Sequence, residues 1–170
     1  FMQSIQTVSE NTIYVGASDR RLAKFENLFP IPRGVSYNAY VILDEKTALL
    51  DTADASVGAQ FLENVAAALD GRKLDYLIVD HMEPDHAAMI EAVLVRWPDL
   101  RLVVNAKTLP MLKMYFPTDS AAIDDALVVK EGDTLDLGKH KLTFVMAPMV
   151  HWPEVMMTFD TTTGTLFSAD

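Results

Sequence analysis

The sequence predicts an α+β protein built as half of an αββα sandwich, with sheets stacked in the middle and helices outside. Three observations carry this. The first third is β-rich and reads as hairpins, the middle alternates strand with helix, and the last third is a meander of hairpins. With 170 residues, half of them apolar, the chain can bury the core of one domain and is not a linker or a disordered segment.

TIYVGA (12–17) and SYNAYVILD (36–44) carry the β-branched and aromatic residues of strands. DEK (44–46) turns the second of these into TALLDT (47–52), a hairpin with Asp51 at its end. Between them, two prolines and a glycine mark FENLFPIPRG (25–34) as a loop. In SVGAQFLENVAAALDG (56–71), Val57, Phe61, Val65 and Leu69 recur at helical spacing. Ser56 can cap that helix and Gly71 follows its end. LDYLIVD (74–80) is a continuous apolar run, as in a strand buried on both faces. DHAAMIEAVLVRW (85–97) reads as a helix stopped by Pro98, RLVVNA (101–106) as a strand, and KTLPMLKMYF (107–116) as a helix with Pro110 in its first turn. Strands follow at ALVVKEG (126–132), DTLDLG (133–138), HKLTFVMAP (140–148), EVMMTFD (154–160) and TLFSAD (165–170). TTTGT (161–165) looks like a phosphate loop, but a strand follows it where an anion site needs a helix N-terminus, so it reads as a hairpin turn.

The formal net charge of −10 argues against nucleic acid or an anionic membrane surface as a partner. No run of about 18 apolar residues is present to span a membrane, and the start lacks the pattern of a signal peptide, so the cytoplasm is the expected location. The absence of cysteine excludes disulfides, iron–sulfur clusters and thiolate zinc sites. Any metal must be held by nitrogen and oxygen. The final TGTLFSAD is a strand rising to an acidic residue, and the chain is expected to be a piece of a longer protein.

VDHMEPDHAAM (79–89) places His81, Glu83, Asp85 and His86 within six residues, after a buried strand and at the start of a helix. In α/β folds this is where chemistry is placed. A polar loop with Asp85 as helix N-cap would account for Asp85 and for none of the other three. His151, in MAPMVHWPEV (146–155), again follows a strand, and Asp170 ends another. Each alone reads more readily as surface decoration than as a ligand. Asp51-Thr52 at the hairpin end could hydrogen-bond a metal ligand, or be solvated.

Taken together, H-x-E-x-D-H, a distant His and an Asp ending a later strand resemble the metallo-β-lactamase superfamily. Glu83 in place of its usual middle His is the mark of the flavodiiron proteins. The spacing agrees, with 64 residues between His86 and His151 and 18 between His151 and Asp170. HWPE resembles the family's HWPD, and the stretch from Gly16 to Thr52 resembles the family's N-terminal region.

The resemblance implies a metallo-β-lactamase-like αββα sandwich, of which residues 1–170 form the N-terminal part of a diiron domain. It implies that His81, Glu83 and His151 bind one iron, that Asp85 and His86 bind the second, and that Asp170 bridges them, with no catalytic residue beyond these ligands. One further His ligand and a flavodoxin-like domain carrying FMN would lie outside this chain. Glu154 and Val155 stand where the family often has Asp and Ser. The implied activity is reduction of O2 to water or NO to N2O, with a rubredoxin or flavin-reductase type of electron donor and a head-to-tail homodimer. Two rival functions remain at this point: a dizinc hydrolase of the thioesterase or lactonase type, and an interaction module without metal. Two His and one carboxylate suit non-haem ferrous iron, although zinc also accepts carboxylates.

Overall fold

The computed structural model describes residues 3–170. Its strands run, in chain order, β1 Gln6–Ser9, β2 Thr12–Tyr14, β3 Ala17–Asp19, β4 Lys24–Phe25, β5 Phe29–Pro30, β6 Val35–Tyr37, β7 Tyr40–Ile42, β8 Ala48–Leu50, β9 Tyr76–Ile78, β10 Arg101–Asn105, β11 Leu127–Val129, β12 Thr134–Asp136, β13 Lys141–Met146, β14 Met156–Asp160 and β15 Thr165–Phe167. The helices are α1 Gly58–Leu69, α2 Pro84–Ala87, α3 Ile90–Arg96, α4 Thr108–Tyr115 and α5 Ser120–Asp124, and short 3₁₀ turns precede α1 and α5.

A seven-stranded sheet, in the order β1-β2-β7-β8-β9-β10-β11, packs against a four-stranded antiparallel sheet, β12-β13-β14-β15. From β8 to β11 the strands are parallel, because helices make each return. Alternating side chains divide the sheet between two cores. Leu49, Leu77, Leu102 and Val104 face a helical layer that supplies Phe61, Val65, Val93 and Leu112. Ala48, Leu50, Ile78 and Val103 face the second sheet, meeting Leu142, Phe144 and Met156. The architecture is therefore an αββ stack, the expected half-sandwich. The parallel strands end together, with Leu50 beside Ile78 and Val103 in register with both neighbours. Their carboxyl ends form one rim.

Several local expectations are corrected. TIYVGA and SYNAYVILD are each broken in two, because the chain leaves the large sheet to pair β3 with β6. Gly16 sits at one break, where a Cβ would lie 1.9 Å from the Tyr37 carbonyl oxygen. The 25–34 loop contains a small hairpin, β4–β5. Asp54, not Ser56, caps the turn before α1, by accepting the Ser56 N–H. The helix expected over 85–97 is two helices. Thr52 takes the His86 carbonyl with both its N–H (2.8 Å) and its hydroxyl (2.6 Å), so that carbonyl is engaged from outside the helix. The hydroxyl also accepts the Met89 N–H at 3.3 Å. β1 and α5 were not anticipated; β1 is short, polar and mostly exposed.

Two outcomes test this packing. Phe144→Ala, at a fully buried position between the sheets, should lower unfolding free energy by about 3–5 kcal/mol in urea titrations, whereas Val145→Ala on the outer face should change it by less than about 0.5 kcal/mol. Arg21, by side-chain and backbone hydrogen bonds, holds the buried Asp19 carboxyl down from 3.8 to about 2. Its folded value is the lower one, so this contribution is present above the ordinary value and is lost as pH falls toward about 2. The urea midpoint of Asp19→Asn should therefore differ most from wild type above pH 4 and converge with it on acidification.

Candidate metal centre

The rim at the ends of the parallel strands gathers all six candidate residues. After β9 the chain runs through Val79 and Asp80 to His81, which is fully buried. His81 Nε2 lies 3.1 Å from Glu83 Oε2, and His151 Nε2 lies 2.9 Å from the same oxygen. His151 Nε2 is also 3.4 Å from Asp170 Oδ2. On the other side, His86 Nε2 lies 3.0 Å from Asp170 Oδ1 and 3.6 Å from Asp85 Oδ2. These contacts define two donor sets, His81–Glu83–His151–Asp170 and Asp85–His86–Asp170, each with its donor atoms within 4.8 Å of one another. Asp170 belongs to both and turns one oxygen toward each.

Local backbone chemistry sets these directions. Glu83 is extended (φ −61°, ψ 145°) and precedes Pro84 at the first position of α2. Asp85 then lies in the first turn, with His86 beside it. Asp85 is not the N-cap, and one of its oxygens, Oδ1, is buried without a hydrogen-bond partner among the described residues. The polar-loop reading of Asp85 therefore fails. Asp51, Met149 and Ala169 all have left-handed backbone, at φ 56°, 67° and 54°. Two of them directly precede or closely approach the ligand positions His151 and Asp170. Non-glycine residues in this region cost about 1–2 kcal/mol each, and such strain concentrates at functional sites.

Two buried carboxylates face the outer nitrogens of the buried imidazoles. Asp51 Oδ2 lies 2.9 Å from His86 Nδ1, so the hairpin end does orient a candidate ligand. Glu154 Oε1 lies 2.8 Å from His81 Nδ1. Sequence reasoning did not assign Glu154 this role, since 73 residues separate it from His81. Nor did it find Asp80, which accepts the Thr158 hydroxyl at 2.8 Å, or Asn105, which donates to the Glu154 carbonyl at 2.6 Å. Glu26, on the turn between β4 and β5, approaches Glu83 closely enough for their hydrogen bond to raise its carboxyl above the usual range. No local pattern distinguished these residues from ordinary polar ones.

The site is crowded with negative charge. Burial, with further contributions from Asp170 and Glu83, pushes the Asp85 carboxyl up to about 6 against the pull of His86. Burial alone would lower His86, but the Asp51 hydrogen bond and charge, then Asp85 and Asp170, raise it to about 10. Burial and the Asp51 charge raise Asp80 well above the usual range. Among the described residues, no Lys or Arg pairs with Asp51, Asp80, Glu83, Asp85, Glu154 or Asp170. A converging set of imidazole nitrogens and carboxylate oxygens, in negative excess and with a buried unpartnered Asp85 oxygen, fits divalent metal ions. A cleft of about 290 Å³ lies against Glu83 and Asp85, walled by Leu22, Phe25 and Tyr37.

Residues 35–170 match the family model described as ODP family beta lactamase. The chain is 36% identical over 165 residues to the anaerobic nitric oxide reductase flavorubredoxin of Klebsiella pneumoniae subsp. pneumoniae, covering 96% of this chain and 34% of that protein. The flavodiiron protein from Giardia intestinalis superposes with a TM-score of 0.90 at 27% identity, covering 99% of this chain and 40% of that one. The rubredoxin oxygen:oxidoreductase from Desulfovibrio gigas gives 0.85 at 31% identity, covering 92% and 38%. The expected metallo-β-lactamase-like fold and the likeness to flavodiiron proteins are both borne out. The chain spans about a third of the length of the curated relatives it matches.

Asp51→Ala would leave the N–H of Asp80, the N–H of His81 and Nδ1 of His86 without their acceptor. Unfolding free energy in urea titrations should fall by about 3–5 kcal/mol, as when one member of a buried charged pair is removed. A loss below about 1 kcal/mol would show that these contacts do not secure the rim.

Proposed function

The chain belongs to the ODP family beta lactamases, and from that premise we propose that it forms the metal-binding part of a diiron oxidoreductase that reduces O2 to water, NO to N2O, or both. The observation that carries this reading is Glu83, whose Oε2 lies 3.1 and 2.9 Å from the inner nitrogens of His81 and His151. A carboxylate standing between two imidazoles makes a harder, more anionic set than three imidazoles, and two His with one carboxylate suit ferrous iron that meets O2. The relatives named as a nitric oxide reductase and a rubredoxin oxygen:oxidoreductase support the same choice.

His81, Glu83 and His151 would hold one iron, Asp85 and His86 the second, and Asp170 would contribute to both. When bound, the iron pair supplies electrons to the diatomic substrate. The chain's own residues prepare the site. Asp51 and Glu154 hold the two buried imidazoles from outside, so that both Nε2 atoms face inward. The Trp152 ring stands edge-on to His81, with centroids 5.3 Å apart, and helps exclude water from that side. Electrons would reach the centre through FMN on a flavodoxin-like domain outside residues 1–170, and the rest of the metal domain, with its further His, would also lie outside them. The coverage of about a third of the relatives' length supports that arrangement. In this reading the whole protein works in the cytoplasm as a head-to-tail homodimer and draws on a rubredoxin or flavin-reductase type of donor. Among the described residues no helix is long and apolar enough to cross a membrane.

The metal content of the full-length protein, isolated anaerobically from cells supplied with both iron and zinc, tests the assignment. The full-length protein should retain two irons per chain and consume O2 or NO through many turnovers with FMN and a reductant. His81→Ala should lose most of the iron. The 170-residue chain alone, given iron and a chemical reductant but no flavin, should not sustain turnover. Preferential retention of zinc, with thioester or lactone hydrolysis, would instead place the protein among the hydrolases.

A further inference from the structure

We propose that Glu154 is a positioning residue of the metal centre, a strut by which the loop carrying His151 fixes the ring of His81. The inference rests on the metal reading above and concerns a residue that is a member of neither donor set. Glu154 Oε1 lies 2.8 Å from His81 Nδ1 and accepts the Met82 N–H at 2.9 Å. One oxygen therefore holds both the side chain of His81 and the backbone that follows it. With Nδ1 carrying the proton toward Glu154, the Nε2 lone pair is left facing Glu83 and His151.

The strut is itself anchored. The Glu154 carbonyl accepts from Asn105 Nδ2 at 2.6 Å, and the Asn105 Oδ1 is held by the N–H groups of Lys107 and Thr108. The N–H of Val155 remains within the loop, while the N–H of Met156 reaches the Asp80 carbonyl at 3.0 Å. Glu154 is thereby tied to the ends of both β9 and β10. His151 lies three residues earlier in the same loop, so one segment sets two of the candidate ligands.

The charge of Glu154 points toward a metal as well. Glu154 is 1% exposed, and among the described residues no Lys or Arg pairs with it and its Oε2 is buried without a partner. An anion so placed is costly unless positive charge lies nearby. The imidazole it touches can pass on the charge of an ion bound at the opposite nitrogen. A purely architectural role would need only the bond to Met82, which a neutral acceptor could make.

Co(II) titration of the full-length protein, followed by visible absorption, measures the effect. Glu154→Ala should weaken binding by about 10–100-fold, the range found when partners of metal-bound histidines are removed. Glu154→Asp, shorter by one bond of about 1.5 Å, should behave similarly. Glu154→Gln keeps an acceptor without the charge and should lose less, on the order of tenfold. Glu63→Gln, on the exposed pair with Arg96, should bind as wild type does. In the Zn(II)-loaded protein, a low-field, exchange-protected His81 Nδ1–H resonance should be present in wild type and Glu154→Gln, and absent in Glu154→Ala and Glu154→Asp. Unchanged Co(II) affinity in folded Glu154→Ala, alongside its loss in His81→Ala, would overturn this inference and leave the metal reading intact. Wild-type protein that binds no Co(II) would overturn both.

Discussion

The carboxylate of Asp51 is the contact on which the rim depends. It accepts the Asp80 N–H at 2.7 Å and the His81 N–H at 3.4 Å, and its other oxygen meets His86 Nδ1 at 2.9 Å. One side chain thus joins the end of β8, the exit from β9 and the short helix α2. It can do so because β8 and β9 run parallel and end side by side, with the Asp51 N–H donating to the Ile78 carbonyl at 2.9 Å. The left-handed backbone of Asp51 turns the chain at that point. Thr52 extends the same anchorage by taking the His86 carbonyl, which breaks the helix after its first turn. Hydrogen bonds to charged groups contribute about 1.5–3 kcal/mol each, enough together to offset one left-handed residue.

Charge is the second organising constraint. Glu83, Asp85, Asp51, Asp80 and Glu154 are largely buried around two buried histidines. The fold accommodates this in part by raising the carboxyls of Asp85 and Asp80 and by making His86 a stronger base. A cation between the inner nitrogens and oxygens would relieve the remainder. The two outer carboxylates, Asp51 and Glu154, give the centre a rough symmetry, since each faces the Nδ1 of one buried imidazole. They differ in how fully they are used. Asp51 serves three donors, whereas one Glu154 oxygen serves two and the other serves none.

Much of the architecture was legible because its signals are local. Continuous apolar runs such as LDYLIVD follow from burial on both faces, and the structure divides Leu77 and Ile78 between the two cores as expected. The spacing of Phe61 and Val65 matched a helix that packs on the large sheet. The reading failed where tertiary contacts overrode local pattern. Nothing in DHAAMIEAVLVRW predicts an interruption, because Thr52 causes it from 34 residues away. The continuous strands expected over 12–17 and 36–44 divide because a small second ladder, β3–β6, draws their ends out of the sheet.

The sequence by itself determined which donor atoms are available. It specified imidazoles and carboxylates without thiols, their order along the chain, and their location after strands, since residue type and strand periodicity are written locally. Only the tertiary structure decided how those donors are paired. It placed Asp170 between two sets, turned Asp85 away from a capping role, and set Asp51 behind His86 and Glu154 behind His81. The physical reason is distance along the chain. Asp51 and His86, His81 and Glu154, and His86 and Asp170 lie 35, 73 and 84 residues apart, and such contacts exist only once the strands have brought their ends to one rim.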